Sequence, residues 1–324
     1  MSKFIGRIIN FGIGKETTRG TAVSPTFWMP LTSVEFDDFH LMEPIGLKYD
    51  NLSGFGEETY LTNKSARGGI FGDMDADAFG LLLLGVFGSS TLVGPTDSAY
   101  THTFSLAASN VHTSFTLVET NPTGYFQYTL AMIERLEIRI DPGSIASIIV
   151  DFIARSSSEI SDPGAAYTAR KIFNASHLRF KIADATGDLD SASNIKLKNI
   201  RLIFDKNLTE FPLYNTLSAE EIYNQMFQIS GSFVIDYENR TYHDYLLQAN
   251  TKAVRIQLVS TDLIGATSVP QFTIDLSKVI FDSWFPEKIR DQVVDQKMTF
   301  KALYDETNGN IVNDCELINE TLSY

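Results

Sequence analysis

Arg135-Leu136-Glu137-Ile138-Arg139-Ile140-Asp141-Pro142-Gly143-Ser144, followed by Ile148, Val150 and Phe152 alternating with Asp151, decides the fold class. Leu136, Ile138 and Ile140 fall on one side of an extended chain and Arg135, Glu137 and Arg139 on the other, because successive strand side chains point to opposite faces. Asp141-Pro142-Gly143-Ser144 has turn chemistry, so the stretch predicts a hairpin with one buried face. A counterpart stands in the second half, where residues 279–284 and Met298, Phe300 and Ala302 flank a looser turn around Pro286-Glu287. Further strands are expected over 115–118, 124–130, 232–237, 254–259 and 272–276, most of them rich in β-branched and aromatic residues. The chain is mainly β.

The paired hairpins belong to a longer repeat. Phe11-Gly12-Ile13 leads through a polar Gly/Thr stretch to Thr32-Ser33-Val34-Glu35-Phe36-Asp37, and Phe180-Lys181-Ile182 leads through another polar stretch to Asn199-Ile200-Arg201-Leu202-Ile203-Phe204-Asp205. Phe11 and Phe180 lie 169 positions apart, Phe36 and Phe204 168. Gly69-Ile70-Phe71-Gly72-Asp73-Met74, running to Leu81-Leu82, is echoed by Gly231-Ser232-Phe233-Val234-Ile235-Asp236, running to Leu246-Leu247, with the offset reduced to 162 at the glycines and 165 at the leucines. A repeat of this length implies two whole domains of one fold, since solenoid periods are much shorter. The expected division is residues 1–160 and 165–324, with the boundary where periodicity gives way to small polar residues at 156–164.

Each copy carries one predicted helix. Asp75 or Asp77 caps a segment with Phe79, Leu82, Leu83 and Val86 on one face and Gly88 at its end. Asn239 caps residues 241–249, where Tyr242, Tyr245 and Leu246 share a face. A third helix is expected from Ser218-Ala219-Glu220-Glu221, whose spacing fits a capping box, followed by Ile222, Met226 and Phe227. The copies differ in their connections. The first inserts residues 88–114 and a long glycine-bearing loop over 44–69, and long connections of this kind serve as arms or binding loops. Residues 1–10 and 310–324 read as further arms.

Composition narrows the function. The 324 residues are 44% apolar and 20% charged, an ordinary globular balance, and no apolar run is long enough to cross a bilayer. The start at Met1-Ser2-Lys3-Phe4 lacks the pattern of a secretory signal. A net charge of -14 disfavours tight binding to phosphate and suits a surface that must not stick to DNA. Cys315 is the single cysteine, which excludes an internal disulfide framework and a multi-cysteine zinc site. His40, His102, His112, His177 and His243 show no metal-ligand spacing. Gly14-Lys15 resembles a phosphate loop but has Ile9 where the leading glycine belongs and Glu16 where the hydroxyl residue belongs. No catalytic residue, cofactor site or metal site is expected.

The opening Gly12-Ile13-Gly14-Lys15-Glu16-Thr17-Thr18-Arg19-Gly20-Thr21-Ala22, followed by Pro25, Phe27, Pro30 and Leu31, resembles the start of the tail tube (major tail) proteins of tailed bacteriophages. In these a G-x-x-x-E-x-x-x-G-T stretch precedes the first aromatic and proline. Tyr100-Thr101-His102-Thr103-Phe104 and the 136–152 hairpin are similar to the same family's later strands. The resemblance implies two tandem tail-tube-like β-sandwich or half-barrel domains, each with a flanking α-helix, assembled as a virion protein into stacked rings. Six tube domains per ring would make this chain a pseudo-hexameric trimer; the alternative is a hexamer with the second copy outside. The implied partners are further copies of the chain, a tape-measure protein, and tail terminator and distal tail proteins, with DNA as cargo and assembly in the host cytoplasm. Glu137 and Asp151 are candidates for the channel lining or for subunit contacts, and Lys48, Tyr49, Phe55, Glu57, Glu58 and Tyr60 for contacts between rings. Two other classes stay open: a terminator, distal-tail or connector ring of related fold, and a carbohydrate-binding β-sandwich using Trp28 and Trp284 as platforms.

Overall fold

The computed structural model describes residues 5–44, 58–168, 170–211, 214–291 and 293–324. The first half runs β1 (Asn10–Lys15), β2 (Phe27–Met29), β3 (Leu31–Pro44), β4 (Thr59–Asp73), α1 (Ala76–Phe87), β5 (Gly88–Thr96), β6 (Ala99–Leu106), β7 (Phe115–Asn121), β8 (Gly124–Ile140), β9 (Ser147–Ala154) and the short β10 (Ser158–Glu159). The second runs β11 (Leu178–Ala183), β12 (Asn199–Asp205), β13 (Leu208–Phe211), β14 (Glu221–Asn224), β15 (Gln228–Asp236), α2 (Thr241–Gln248), β16 (Lys252–Val259), β17 (Gln271–Glu287), β18 (Asp295–Ala302) and β19 (Asp314–Asn319).

One pairing order occurs in both halves. In the first, β1 pairs with β7, β7 with β8, β8 with β9, β9 with β4 and β4 with β3, all antiparallel. The second repeats this with β11, β16, β17, β18, β15 and β12. The irregularities repeat as well. β8 shifts register against β9 between Ile133 and Arg135, and β17 against β18 between Phe281 and Ser283. Both pairs of positions are 148 apart, as are Ala131 and Val279, the residues that face Phe115 and Lys252. Bulges of this kind bend a long strand, and past them β8 has left β7 and β17 has left β16.

The ladders correct one detail of the sequence alignment. Gly68 faces Phe36 on one side and Phe152 on the other, whereas Gly231 faces Leu202 and Phe300. Phe36 therefore corresponds to Leu202 rather than to Phe204. A slip of two residues keeps each side chain on its own face, which is why hydrophobic pattern alone did not detect it. The two glycines make equivalent close approaches: a Cβ on Gly68 would stand 1.9 Å from the Glu35 carbonyl oxygen, and one on Gly231 2.6 Å from that of Arg201.

The halves share one sheet and one core. Beyond its bulge, the edge of β8 that β7 vacates is taken by β12, with Arg135 facing Asp205 and Ile140 facing Ile200. A single apolar cluster includes Phe11, Phe79 and Phe152 together with Phe204, Phe233 and Phe272. Helix α1 lies inside it, buried at every position except Asp77. Phe79 meets Phe272 edge-on at 5.2 Å and Phe87 meets Phe204 at 5.7 Å. Asp75 caps α1 by accepting from the Asp77 amide at 3.0 Å, and Gly88 ends it in the left-handed conformation, as the sequence predicts. At α2 the Asn239 side chain accepts from the Thr241 amide at 3.0 Å, but no residue of that helix is fully buried.

Three expectations change. Residues 221–224 form a strand paired with β13 rather than a helix. Ile222 is buried against Leu130, Met132 and Ile153, and neighbouring Glu221 turns to the Arg19 guanidinium, so tertiary contacts override the capping-box spacing. Of the long loop expected over 44–69, Thr59 to Gly69 belongs to β4 and pairs with β3. The C-terminal stretch is not a free arm: β19 pairs with both β17 and β6, and the Tyr324 hydroxyl donates to the Asp77 carbonyl at 2.7 Å. The 88–114 insertion contains the β5–β6 hairpin.

Candidate assembly surfaces

The polar face of the 136–152 hairpin is an ion-pair cluster. Glu137 is only 2% exposed; Arg135 Nη2 lies 2.6 Å from its Oε2, and Arg139 Nε donates to its Oε1. Asp151 stands opposite Arg135 on β9. Burial raises the Asp151 carboxyl above its ordinary range, Arg135 opposes that shift, and Glu137 and Asp205 add to it. Glu137 and Asp151 are thus brought to one face, but the Glu137 carboxylate reaches almost no solvent and is matched by two guanidiniums.

Several strand edges carry no ladder partner among the described residues, those of β5 and β11 included, and two of them lie at β3 and at the end of β17. β3 pairs only with β4, and beyond its bulge β17 pairs only with β18. Both edges expose large apolar side chains, Phe39 at 51% and Phe285 at 70%. Exposed edges are templates for a further strand. Of the candidates for contacts between rings, Lys48, Tyr49, Phe55 and Glu57 lie outside the described residues. Glu58 and Tyr60 are both exposed at the start of β4, where the Tyr60 hydroxyl donates to Glu58 Oε2 at 3.0 Å.

Two buried polar groups escaped the sequence reading. Glu16, 5% exposed, accepts from the Gly20 amide at 2.6 Å, Ser114 Oγ at 2.5 Å, Thr116 Oγ1 at 3.1 Å and the Leu130 amide at 2.8 Å. Its place in the G-x-x-x-E-x-x-x-G stretch was the signal: the glutamate ties its own loop, closed by left-handed Gly20, to β7 and β8. Lys206, 1% exposed, follows β12 into the core and donates from Nζ to the Gly85 carbonyl near the end of α1, at 2.6 Å. Burial and the nearby Arg19 charge push its ammonium down to about 7. Nothing in the local pattern around Lys206 announces burial.

Among the described residues no group of three or more histidine, cysteine, aspartate or glutamate side chains is placed to hold a metal ion. Trp284 is only half-buried; its indole N–H donates to Gln296 Oε1 at 3.0 Å and its ring lies 4.3 Å from that of His243.

Two β-rich halves of one pairing order, joined edge to edge and ending in unpaired edges, define a structural β-sandwich subunit. Residues 6–302 match the family model described as phage tail tube protein, and the chain belongs to that family: it is a structural component of the bacteriophage virion tail. No curated protein matches the chain.

Proposed function

We propose that the chain polymerises into stacked rings forming the tail tube, a passive conduit through which the genome leaves the particle. Each chain supplies two tube domains, 1–160 and 165–324, products of an internal duplication, and three chains make a ring of six domains. The observation that carries this is the shared pairing order, including bulges 148 residues apart in β8 and β17. The β8–β12 ladder supports the trimer, because it joins the two halves side by side through their strand edges.

The mechanism needs no catalytic group. Heterologous contacts that close by rotation make a ring, and complementary upper and lower faces make a tube. The -14 charge repels phosphate, so DNA passes without adhering. Tape-measure, terminator and distal tail proteins set the tube's length and ends, and the chain reaches them in the host cytoplasm. Negative-stain microscopy of the concentrated chain tests the reading. Long hollow filaments support it, isolated rings point to a connector, and dispersed monomers with glycan affinity point to a lectin.

A further inference from the structure

Within one chain, the half-to-half joint is a six-pair antiparallel ladder between β8 and β12, running from Arg135–Asp205 to Ile140–Ile200. Each of its strands has a counterpart in the other half. The β8 residues map to β17 at an offset of 148, fixed by the paired bulges. The β12 residues map back to β3 at 166, fixed by the Gly68–Phe36 and Gly231–Leu202 pairs. These two counterparts, the 283–288 edge and the 34–39 edge, are both without a ladder partner among the described residues.

Resting on the tube reading, we infer that the 283–288 edge of one chain pairs with the 34–39 edge of a second copy in the register of the internal joint. Ser283 then faces Phe39, Phe285 faces Asp37 and Pro286 faces Phe36. Phe285 and Phe39 become diagonal neighbours across the ladder, within reach of aromatic contact, and both lose their exposure. Lys206 continues the internal joint, its amide donating to the Glu134 carbonyl and its Nζ to Gly85 at the end of α1. His40 takes its place in the intermolecular joint, by the offset of 166 that relates β3 to β12.

Pro286 works against this joint at one pair. The Lys206–Glu134 hydrogen bond sets the parity of the internal ladder, so Leu136, Ile138 and Ile140 direct their amides at β12. Pro286 replaces Ile138 and has no N–H to offer outward, a feature that blunts a strand edge against pairing. The joint forgoes one hydrogen bond there. By the same parity Phe285 and Asp37 form a pair without mutual hydrogen bonds, the closest kind in an antiparallel ladder.

Cysteine pairing tests the register. Asp37→Cys with Phe285→Cys, and as a second pair Phe39→Cys with Ser283→Cys, are assembled and oxidised; native Cys315 is fully buried and contributes no cross-link. Residues directly opposite lie within disulfide reach, while diagonal ones do not. Conversion of most subunits to covalent multimers by both pairs, with Glu35→Cys/Phe285→Cys and Phe39→Cys/Phe285→Cys staying monomeric on non-reducing gels, is the expected result. Intact filaments in which neither expected pair cross-links, or in which a slipped pair dominates, overturn the joint and leave the tube reading standing. Absence of any assembly by the unmodified chain overturns both.

Discussion

Replacing Glu16 by alanine removes the acceptor for two backbone amides and two hydroxyls at once. The Ser114 and Thr116 hydroxyls can rotate towards other acceptors. The Gly20 and Leu130 amides cannot, because the first sits in a left-handed turn and the second in a strand. At about 1–3 kcal/mol for each stranded buried donor, the two together cost about 4 kcal/mol. An unfolding entropy of about 2.1 cal/mol/K per residue gives this 324-residue chain about 0.7 kcal/mol/K, so the midpoint falls by about 6 °C. Glu16→Gln keeps one acceptor oxygen and points an NH2 group at donors, so it falls by about half as much. Differential scanning calorimetry of the unassembled subunit measures both. A Glu16→Ala midpoint within about 1 °C of the parent would refute the reasoning, since the carboxylate would then be a bystander in its own network.

Other perturbations have equally definite outcomes. Burial pushes the Asp75 carboxyl up to about 6, above the unfolded value of about 3.9, so its stabilising contribution is full below about pH 4 and is lost as pH rises to about 6; Asp75→Asn keeps the helix cap and should flatten that slope in urea titrations. Lys206 is pushed the other way, to about 7 against about 10.4 unfolded, so its burial penalty is present below about pH 7 and is relieved as pH rises towards 10; stability measured from pH 7 to 9 should rise less steeply in Lys206→Met. Gly68→Ala should open the β3–β4 ladder and cost about 3 kcal/mol or more, because its Cβ would stand 1.9 Å from a backbone oxygen in a backbone conformation with φ 143°. Its yield of soluble, cooperatively melting protein reports this directly.

Much of the architecture could be read from alternation. Leu136, Ile138 and Ile140 against Arg135, Glu137 and Arg139 gave a strand with its inward face correct, because period two survives tertiary packing. Helix α1 was legible from Asp75 and Gly88, whose capping roles depend only on neighbouring backbone. The 218–227 segment was not, since Ile222 takes its conformation from Leu130, Met132 and Ile153, far away in sequence. Neither was the docking of 314–319, where a strand is completed by partners from both halves. At the candidate surfaces, sequence placed Glu137 and Asp151 on one face but could not reveal that Arg135 and Arg139 close over Glu137. The free edges of β3 and β17 were equally hidden, because an edge is defined by which pairings are missing.

Counting chains in one ring tests the assembly most directly. Cryo-microscopy of assembled filaments, refined without imposed rotational symmetry, should show rings of three chains in which six similar β domains alternate around a hollow channel. Rings of six chains, with residues 165–324 projecting outside a wall built by the first half alone, would contradict it.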